Sequence, residues 1–476
     1  MKKVKIVYNP YLLTTVITVD GKKPSANSSL DFQKQRLQEW AEKLPKILVE
    51  EYRDKNISIE FTGTLDDFTD LKEILQSKKN EVTVGEYIHH RTPDVEDVET
   101  QIIEVYNAIQ DGPVEALKDK DISEAFKNAM KSEFAINVVA TMSSGKSSLI
   151  NAILGVNLMP VAMMATTATI VSVIATPREG YYGIAYNKEG QEIYREDNLN
   201  IEVMRSWNAD NGISSIDIYG PIPCVKSIGM RLVLIDTPGP NNSRDENHKA
   251  LTYNMLEQSE KSLVLFVMNA EVLNIDDEKE FLDFVCECMK NGGKQTRDRF
   301  IFAVNKLDAF KPKHGDNVTN ALNSVKTGLD ERDIREPNLF PVTALAALEI
   351  RTKDEEPEAL DGFARKCRTK GEEFHFEKYY SFNHLPISSR KRLETLSTSD
   401  NEYAEIEVHT GIPSIEEAIR LYVNKYARTM KVKDLVDSFN KRLKELRAEA
   451  EIQERIQNNE AEKNASIRKS QELRTR

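Results

Sequence analysis

For most of its length the chain predicts an α/β fold: a mostly parallel sheet with helices on both faces, with an α+β module in front of it and further helices flanking it. Three observations predict this. Apolar strand-like runs recur at Phe134-Ala-Ile-Asn-Val-Val-Ala140, Leu232-Val-Leu-Ile235 and Arg299-Phe-Ile-Phe-Ala-Val304. The first of them feeds a glycine-containing loop and then a helix-like run that stops near Gly155. Each run also ends in a polar loop, and the C-terminal edge of an open α/β sheet is where such folds bind ligands.

Taken in order, residues 1–85 form the α+β module. Val4–Tyr8, Thr14–Val19 and Ile57–Phe61 have strand composition. Residues 31–53 follow helical spacing through Leu37, Trp40, Leu44, Ile47 and Leu48, with Pro45 placed to kink or split the helix. Thr64-Leu-Asp-Asp67 has the form of a capping box that opens another helix. No chemistry is legible in the module, whose charged residues read as solvated faces, so recognition of a partner is its expected role. His89-His90 has no carboxylate or cysteine cluster around it and reads as a solvated loop. Residues 86–133 read as a helical connector.

The run Ala140-Thr-Met-Ser-Ser-Gly-Lys-Ser-Ser-Leu-Ile-Asn151 has the character of a phosphate-binding P-loop. Main-chain N–H groups from Ser143, Ser144, Gly145, Lys146, Ser147 and Ser148 would surround phosphate oxygens at a helix N-terminus. Lys146 would reach the β- and γ-phosphates, and the Ser147 hydroxyl would ligate Mg²⁺. The glycine that usually opens this pattern is replaced by Ala140.

Three later elements decide what the phosphate belongs to. Asp236-Thr-Pro-Gly239 ends the second strand-like run: Asp236 would hold Mg²⁺ through a water, and the Gly239 N–H would sense a γ-phosphate. Asn305-Lys306-Leu307-Asp308 ends the third. The Asp308 carboxylate can accept hydrogen bonds from guanine N1–H and its exocyclic amine; adenine lacks that amine and presents an acceptor at N1. The Lys306 stem would pack on the base while Asn305 braces the loop. In Pro341-Val-Thr-Ala344, main-chain N–H groups of Thr343 and Ala344 would reach the guanine carbonyl. Singly these are a turn, a solvated loop and nothing. Their order, and their common placement at strand ends, point to a guanine-nucleotide domain.

Lys146 and Asp236 stand 90 positions apart, more than a minimal domain of this kind needs. The gap holds Leu158-Met-Pro160, Ala165-Thr-Thr-Ala-Thr-Ile170 and Ile216-Asp-Ile-Tyr-Gly-Pro-Ile-Pro223. With Ser143–Gly155 and Asp236-Thr-Pro-Gly-Pro-Asn-Asn242, this sequence resembles the dynamin superfamily, particularly bacterial dynamin-like proteins, over about residues 134–430. The resemblance implies a GTPase that hydrolyses GTP to GDP and phosphate with Mg²⁺. Lys146, Ser143 and Thr167 would be its catalytic residues, and Ser147, Thr167 and Asp236 its metal-site residues. By that resemblance Thr167 looks like the switch threonine that contacts Mg²⁺ and the γ-phosphate and helps place the attacking water, with Thr166 as its neighbouring competitor. Ser143 matches the position that helps hold a charge-compensating cation.

Where many small GTPases carry glutamine after the Asp-x-x-Gly glycine stands Pro240, and where eukaryotic dynamins carry glutamine in the P-loop stands Met142. Water activation would then fall to main-chain groups or to a partner. The expectation is slow basal hydrolysis, stimulated when two GTPase faces meet in a GTP-dependent homodimer or hetero-assembly that remodels a membrane or scaffold. A regulatory GTP switch on a protein or ribonucleoprotein partner, and a weakly hydrolysing nucleotide-binding scaffold, are the alternatives.

Composition narrows the partners. At 476 residues the chain can build two or three domains. A net charge of -12 argues against nucleic acid as a partner, since phosphate backbones demand clustered Lys and Arg. Cys224, Cys286, Cys288 and Cys367 have no zinc-type spacing and read as reduced cytosolic thiols. No apolar run of 18 residues exists, so a cytoplasmic location is expected, with membrane contact peripheral or borrowed from a partner.

The domain organisation expected is 1–85, 86–133, 134–427 and 428–476. Residues 350–408, rich in charge, read as an insertion, with Arg351–Glu356 as a solvated run. Gly411-Ile-Pro-Ser-Ile-Glu-Glu417 opens a helix that Ser414 would cap and Glu417 would close. From 428 onward Val432, Leu435, Phe439, Leu443 and Leu446 form a coiled-coil-like helical seam. With residues 86–133 this would supply the family's neck or stalk helices. The family's long stalk is mostly absent, which fits either a truncated chain or a short member that depends on a partner.

Overall fold

In a computed structural model of the chain, the structure describes residues 1–10, 13–92, 95–111, 133–140, 143–160, 169–224, 231–237, 262–272, 282–287, 299–311 and 315–423, with scattered positions at 118–126, 289 and 440–447. The chain divides into two compact units. One comprises residues 1–92 and 133–427, the other residues 93–132 and 428–476. Of the second unit the helix Val95–Asp111 is described, and Tyr106 stacks on Phe126 with ring centroids 3.7 Å apart. The seam residues Val432, Leu435, Phe439, Leu443 and Leu446 lie outside the described residues.

The first sheet joins β1 (Lys2–Asn9), β2 (Thr14–Val19), β3 (Asn56–Gly63) and β4 (Thr83–Arg91) in the order β2-β1-β3-β4. β1 and β2 pair antiparallel, while β3 runs parallel to both β1 and β4. Alternation sets its faces: Val4, Ile6 and Tyr8 are buried under helices, while Lys3, Lys5 and Val7 point outward. Pro45 does split the helical stretch. Leu37–Trp40 ends short, and Leu44–Tyr52 begins with the proline in its first turn, where a missing N–H costs nothing. Thr64 caps the helix Leu65–Ser77 by accepting from the Asp67 N–H at 3.2 Å.

One reading of this module is corrected. His89 and His90 are not a loop but part of β4. His89 stacks on Phe68 at 4.3 Å and meets the Gly63 carbonyl at 3.0 Å, and His90 meets Glu60 at 3.1 Å. These residues escaped notice as a strand because its side chains alternate between half-buried and exposed without one apolar face.

The second sheet has the order β13-β12-β11-β5-β10-β6-β9-β7-β8. Its strands are β5 (Glu133–Ala140), β6 (Ile170–Ala175), β7 (Tyr182–Tyr186), β8 (Glu192–Glu196), β9 (Ser215–Gly220), β10 (Arg231–Asp236), β11 (Leu263–Asn269), β12 (Phe300–Asn305) and β13 (Asn338–Pro341). The five strands β13-β12-β11-β5-β10 are all parallel. β11 and β12 are buried along their whole length, as a parallel sheet covered on both faces demands. Their side chains feed two cores in alternation: Leu263, Leu265 and Val267 join one, Val264, Phe266 and Met268 the other. β6 then joins β10 antiparallel, and β9, β7 and β8 extend the sheet. The long gap between Lys146 and Asp236 is therefore filled by added strands and the helix Ile201–Ala209.

Residues 350–408 contribute to the core. Phe363, Phe374 and Phe376 are fully buried against the same face as Phe300 and Phe302. Within the expected solvated run, Lys353–Glu356 are exposed but Arg351 is not: its side chain is 14% exposed. The guanidinium bonds Glu416 through two nitrogens at 2.6 and 3.0 Å, Glu407 at 2.8 Å and the Ala152 carbonyl at 2.6 Å. A second correction concerns Ser414. The helix Ile412–Tyr422 is capped by Gly411 at φ 78°, so Ser414 lies inside the first turn, buried and with its hydroxyl unpartnered. Glu417 closes no capping box and pairs instead with Arg392 and Arg420.

Candidate functional site

Strand order locates the site before any side chain is considered. From β5 the chain goes to β10 on one side and returns to β11 on the other, so connections diverge at the C-terminal end of β5. In open α/β sheets that divergence leaves a crevice for a ligand. The register puts the relevant strand ends level: Asp236 lies opposite Val138, Ala140 opposite Val267, Asn269 opposite Asn305 and Val304 opposite Pro341.

The loop after β5 turns through left-handed backbone at Ser143 (φ 59°) and Gly145 (φ 85°) into the helix Lys146–Leu154. The first turn of any helix leaves N–H groups without intrahelical acceptors, and here they face the crevice side of the sheet. Gly145 cannot carry a side chain: a Cβ there would lie 2.4 Å from Asn305 Nδ2. The reason is a clasp. Asn305, buried, donates from Nδ2 to the Ser144 carbonyl at 2.8 Å and accepts from the Ala344 N–H at 3.0 Å. One side chain thus ties the P-loop to the loop after β13.

Lys146 Nζ forms an ion pair with Asp236 Oδ1 at 2.6 Å and donates to the Thr237 carbonyl. The pair is not aligned as a hydrogen bond, so buried Oδ1 keeps an unspent acceptor position. Thr237 is anchored in turn by its hydroxyl on the Val138 carbonyl at 2.9 Å. The carboxylate of Asp236 and the hydroxyl of half-buried Ser147 are hard oxygen donors of the kind Mg²⁺ prefers, and they fit it. Ser144 and Ser148 are buried, and the Ser144 hydroxyl has no partner.

At the far side Lys306 takes a left-handed conformation (φ 67°) that turns the chain into the short helix Leu307–Ala309, leaving Asp308 half-buried. The Thr343 N–H is held by the Thr410 carbonyl at 3.0 Å, and Ala344 begins the helix Ala344–Thr352. Thr167, Thr166, Gly239, Met142 and Pro240 lie outside the described residues.

Several residues of the site carry no sequence signal of their own. Asn151, fully buried, accepts from the N–H groups of Leu158 and Met159 at 3.0 and 2.7 Å and so fastens the start of the segment that leads to Thr167. Thr410 is fixed from below by His409, whose Nδ1 meets the Glu377 oxygens at 3.1 and 3.0 Å. With His375 these form a group whose donor atoms lie within 4.8 Å of one another. The two imidazoles stack at 3.8 Å with planes 8° apart. Imidazole lone pairs lie in the ring plane, so two rings stacked this way cannot both aim at one ion, and the group serves as a brace. Burial and the facing His409 hold the His375 pKa below its ordinary value. Of the described cysteines, Cys286 and Cys367 are buried, and burial pushes the Cys367 thiol up to about 12. That is a packing thiol, not a nucleophile.

Together the parallel strand order, the glycine-lysine-serine loop at the crevice and the loops after β10, β12 and β13 define a P-loop GTPase fold. Residues 136–306 match the family model described as the dynamin family. Among curated proteins it is 25% identical over 259 residues to an uncharacterized protein in the xynA 3' region of Caldicellulosiruptor sp. (strain Rt8B.4), covering 54% of this chain and 59% of that protein. It is 25% identical over 219 residues to the probable transmembrane GTPase FZO-like, chloroplastic, of Arabidopsis thaliana, covering 46% of this chain and 20% of that one. The chain thus spans less than two thirds of either. Among solved structures, an oligomerised bacterial dynamin pair described as sensing and tethering membranes aligns with TM-scores of 0.46 and 0.48. Identity there is 15% and 16%; the alignments cover 80% and 87% of this chain and 51% and 62% of those chains. Among the described residues no helix is long and apolar enough to cross a membrane.

Proposed function

We propose that this chain binds GTP with Mg²⁺, hydrolyses it to GDP and phosphate, and couples nucleotide state to dimerisation or assembly in membrane or scaffold remodelling. The observation that carries the reading is the convergence of Lys146 on Asp236 with the Asn305 clasp between Ser144 and Ala344. Residues 134–427 form the nucleotide domain in this reading. The match of residues 136–306 to the dynamin family and the name of the Arabidopsis relative, a probable transmembrane GTPase, support GTP chemistry linked to membranes.

The residues divide the work by position. Main-chain N–H groups of Ser143–Ser148 bind phosphate oxygens, with the helix dipole behind them. Lys146 exchanges Asp236 for the β- and γ-phosphates and offsets charge that builds on them during transfer. Asp236, through a water, and the Ser147 hydroxyl, with Thr167, would hold Mg²⁺, which would supply neutralisation of phosphate charge. Thr167 also orients the attacking water, the Gly239 N–H senses the γ-phosphate, and Ser143 holds the charge-compensating position. Asp308 reads the guanine N1–H and amine and the Lys306 stem covers the base face; the Thr343 and Ala344 N–H groups, expected to address its carbonyl, are instead donated to the Thr410 carbonyl and to Asn305 Oδ1. No glutamine stands at Met142 or Pro240, so full activity needs a second GTPase face.

GTP turnover per molecule, measured with GTP saturating across a wide range of protein concentration, tests this. It should rise with concentration, and K146A should abolish turnover at every concentration. Turnover per molecule that stays flat would rule out stimulation by assembly, and undiminished turnover in K146A would rule out the site.

A further inference from the structure

We propose that Lys366 is a positioning residue for base recognition, so that the charge-rich segment 350–408 helps set nucleotide specificity. The inference deepens the guanine-nucleotide reading above and rests on it. Lys366 lies on the helix Glu358–Lys370, 58 positions beyond the loop it touches. Its ammonium donates to the main-chain carbonyl of Asp308 and, at 3.0 Å, to that of Phe310. It therefore spans the short helix Leu307–Ala309 from outside, closing the turn that aims the Asp308 side chain. The stem is half-buried and the ammonium sits 5.6 Å from the centre of the Phe374 ring.

Two further features make this a built contact. The helix that carries Lys366 is fixed at its start by Glu349, which accepts from the Leu360 N–H at 2.7 Å and the Ala359 N–H at 3.3 Å. Glu349 belongs to the helix Ala344–Thr352, which begins at the loop after β13. That loop and the Asp308 loop are thus linked through Glu349, the helix Glu358–Lys370 and Lys366, independently of the Asn305 clasp. In addition, burial lowers the Lys366 pKa while the Asp308 carboxylate raises it, so the ammonium and that carboxylate interact.

Inosine nucleotides separate positioning from general stability, because they lack only the exocyclic amine that Asp308 accepts from. Affinities for GTP and ITP are measured by equilibrium titration for wild type, K366M and K366R, with thermal melts of each. The preference for GTP over ITP should fall about tenfold in K366M, the size of one charge-assisted hydrogen bond. The affinity for ITP, which keeps the N1–H bond to Asp308, should fall less than that for GTP, and K366R should restore most of the preference. Equal weakening of GTP and ITP, or an unchanged ratio, would overturn the role of Lys366 while leaving the guanine site standing. A wild-type protein that does not prefer GTP would overturn the base reading itself, and the inference with it.

Discussion

Gly145 shows how much one residue decides. Its φ of 85° is cheap only for glycine, and a Cβ would intrude on the Asn305 amide that bonds Ser144. G145A therefore combines a left-handed strain of about 1–2 kcal/mol with loss of the clasp. The fold should survive, with an unchanged circular dichroism spectrum, while the affinity for a fluorescent GTP analogue falls about tenfold or more. Binding that matches wild type would show that the clasp does not shape the phosphate loop. At this scale the sequence was legible where a short motif carries its own chemistry. Lys146, Asp236 and Asn305 could be placed from their neighbours, because each follows an apolar strand. Asn151, Lys366 and Thr410 could not, because their partners lie in segments that only folding brings near.

The elements tell the same story with a different limit. β10 and β12 were legible because their apolar runs are unbroken, and β5 because only Asn137 interrupts its run; β4 was hidden by histidines and charges on a half-buried strand. Arg351 was misread as solvated because a charged run carries no mark of burial. In the fold it joins three elements: the C-terminal turn of the P-loop helix through Ala152, the helix Ala404–His409 through Glu407, and the helix Ile412–Tyr422 through Glu416. Burial works against its charge, but Glu416 and Glu407 keep the guanidinium protonated. Removing one partner of such a network strands the others. R351M should cost about 3–5 kcal/mol of unfolding free energy in denaturant titration. Replacing Glu416 by leucine in the same chain should recover part of that loss. If R351M alone costs less than about 1 kcal/mol, the network does not hold these helices together.

On the scale of the whole molecule, the extra strands β6 to β9 extend the sheet away from the crevice, and the parallel strands β13-β12-β11-β5-β10 bring their ends to it. The N-terminal module joins the same unit through Arg36 on Asn338 at 2.9 Å, Asp70 on the Ser388 N–H at 3.1 Å and Lys391 on Glu73 at 2.6 Å. None of these contacts follows a local pattern, so the module's attachment was not legible in the sequence. The placement of Asp236, Asn305 and Pro341 at strand ends was, because a doubly wound sheet places its strand ends by topology rather than by composition. The central claim is that these ends build a guanine site, and base exchange at Asp308 tests it most directly. Xanthine carries a carbonyl where guanine has its amine, and an asparagine amide can donate to that carbonyl. In competitive titrations D308N should lose about a hundredfold in GTP affinity and gain preference for XTP. Unchanged GTP affinity in D308N, or equal loss for both nucleotides, would contradict the account.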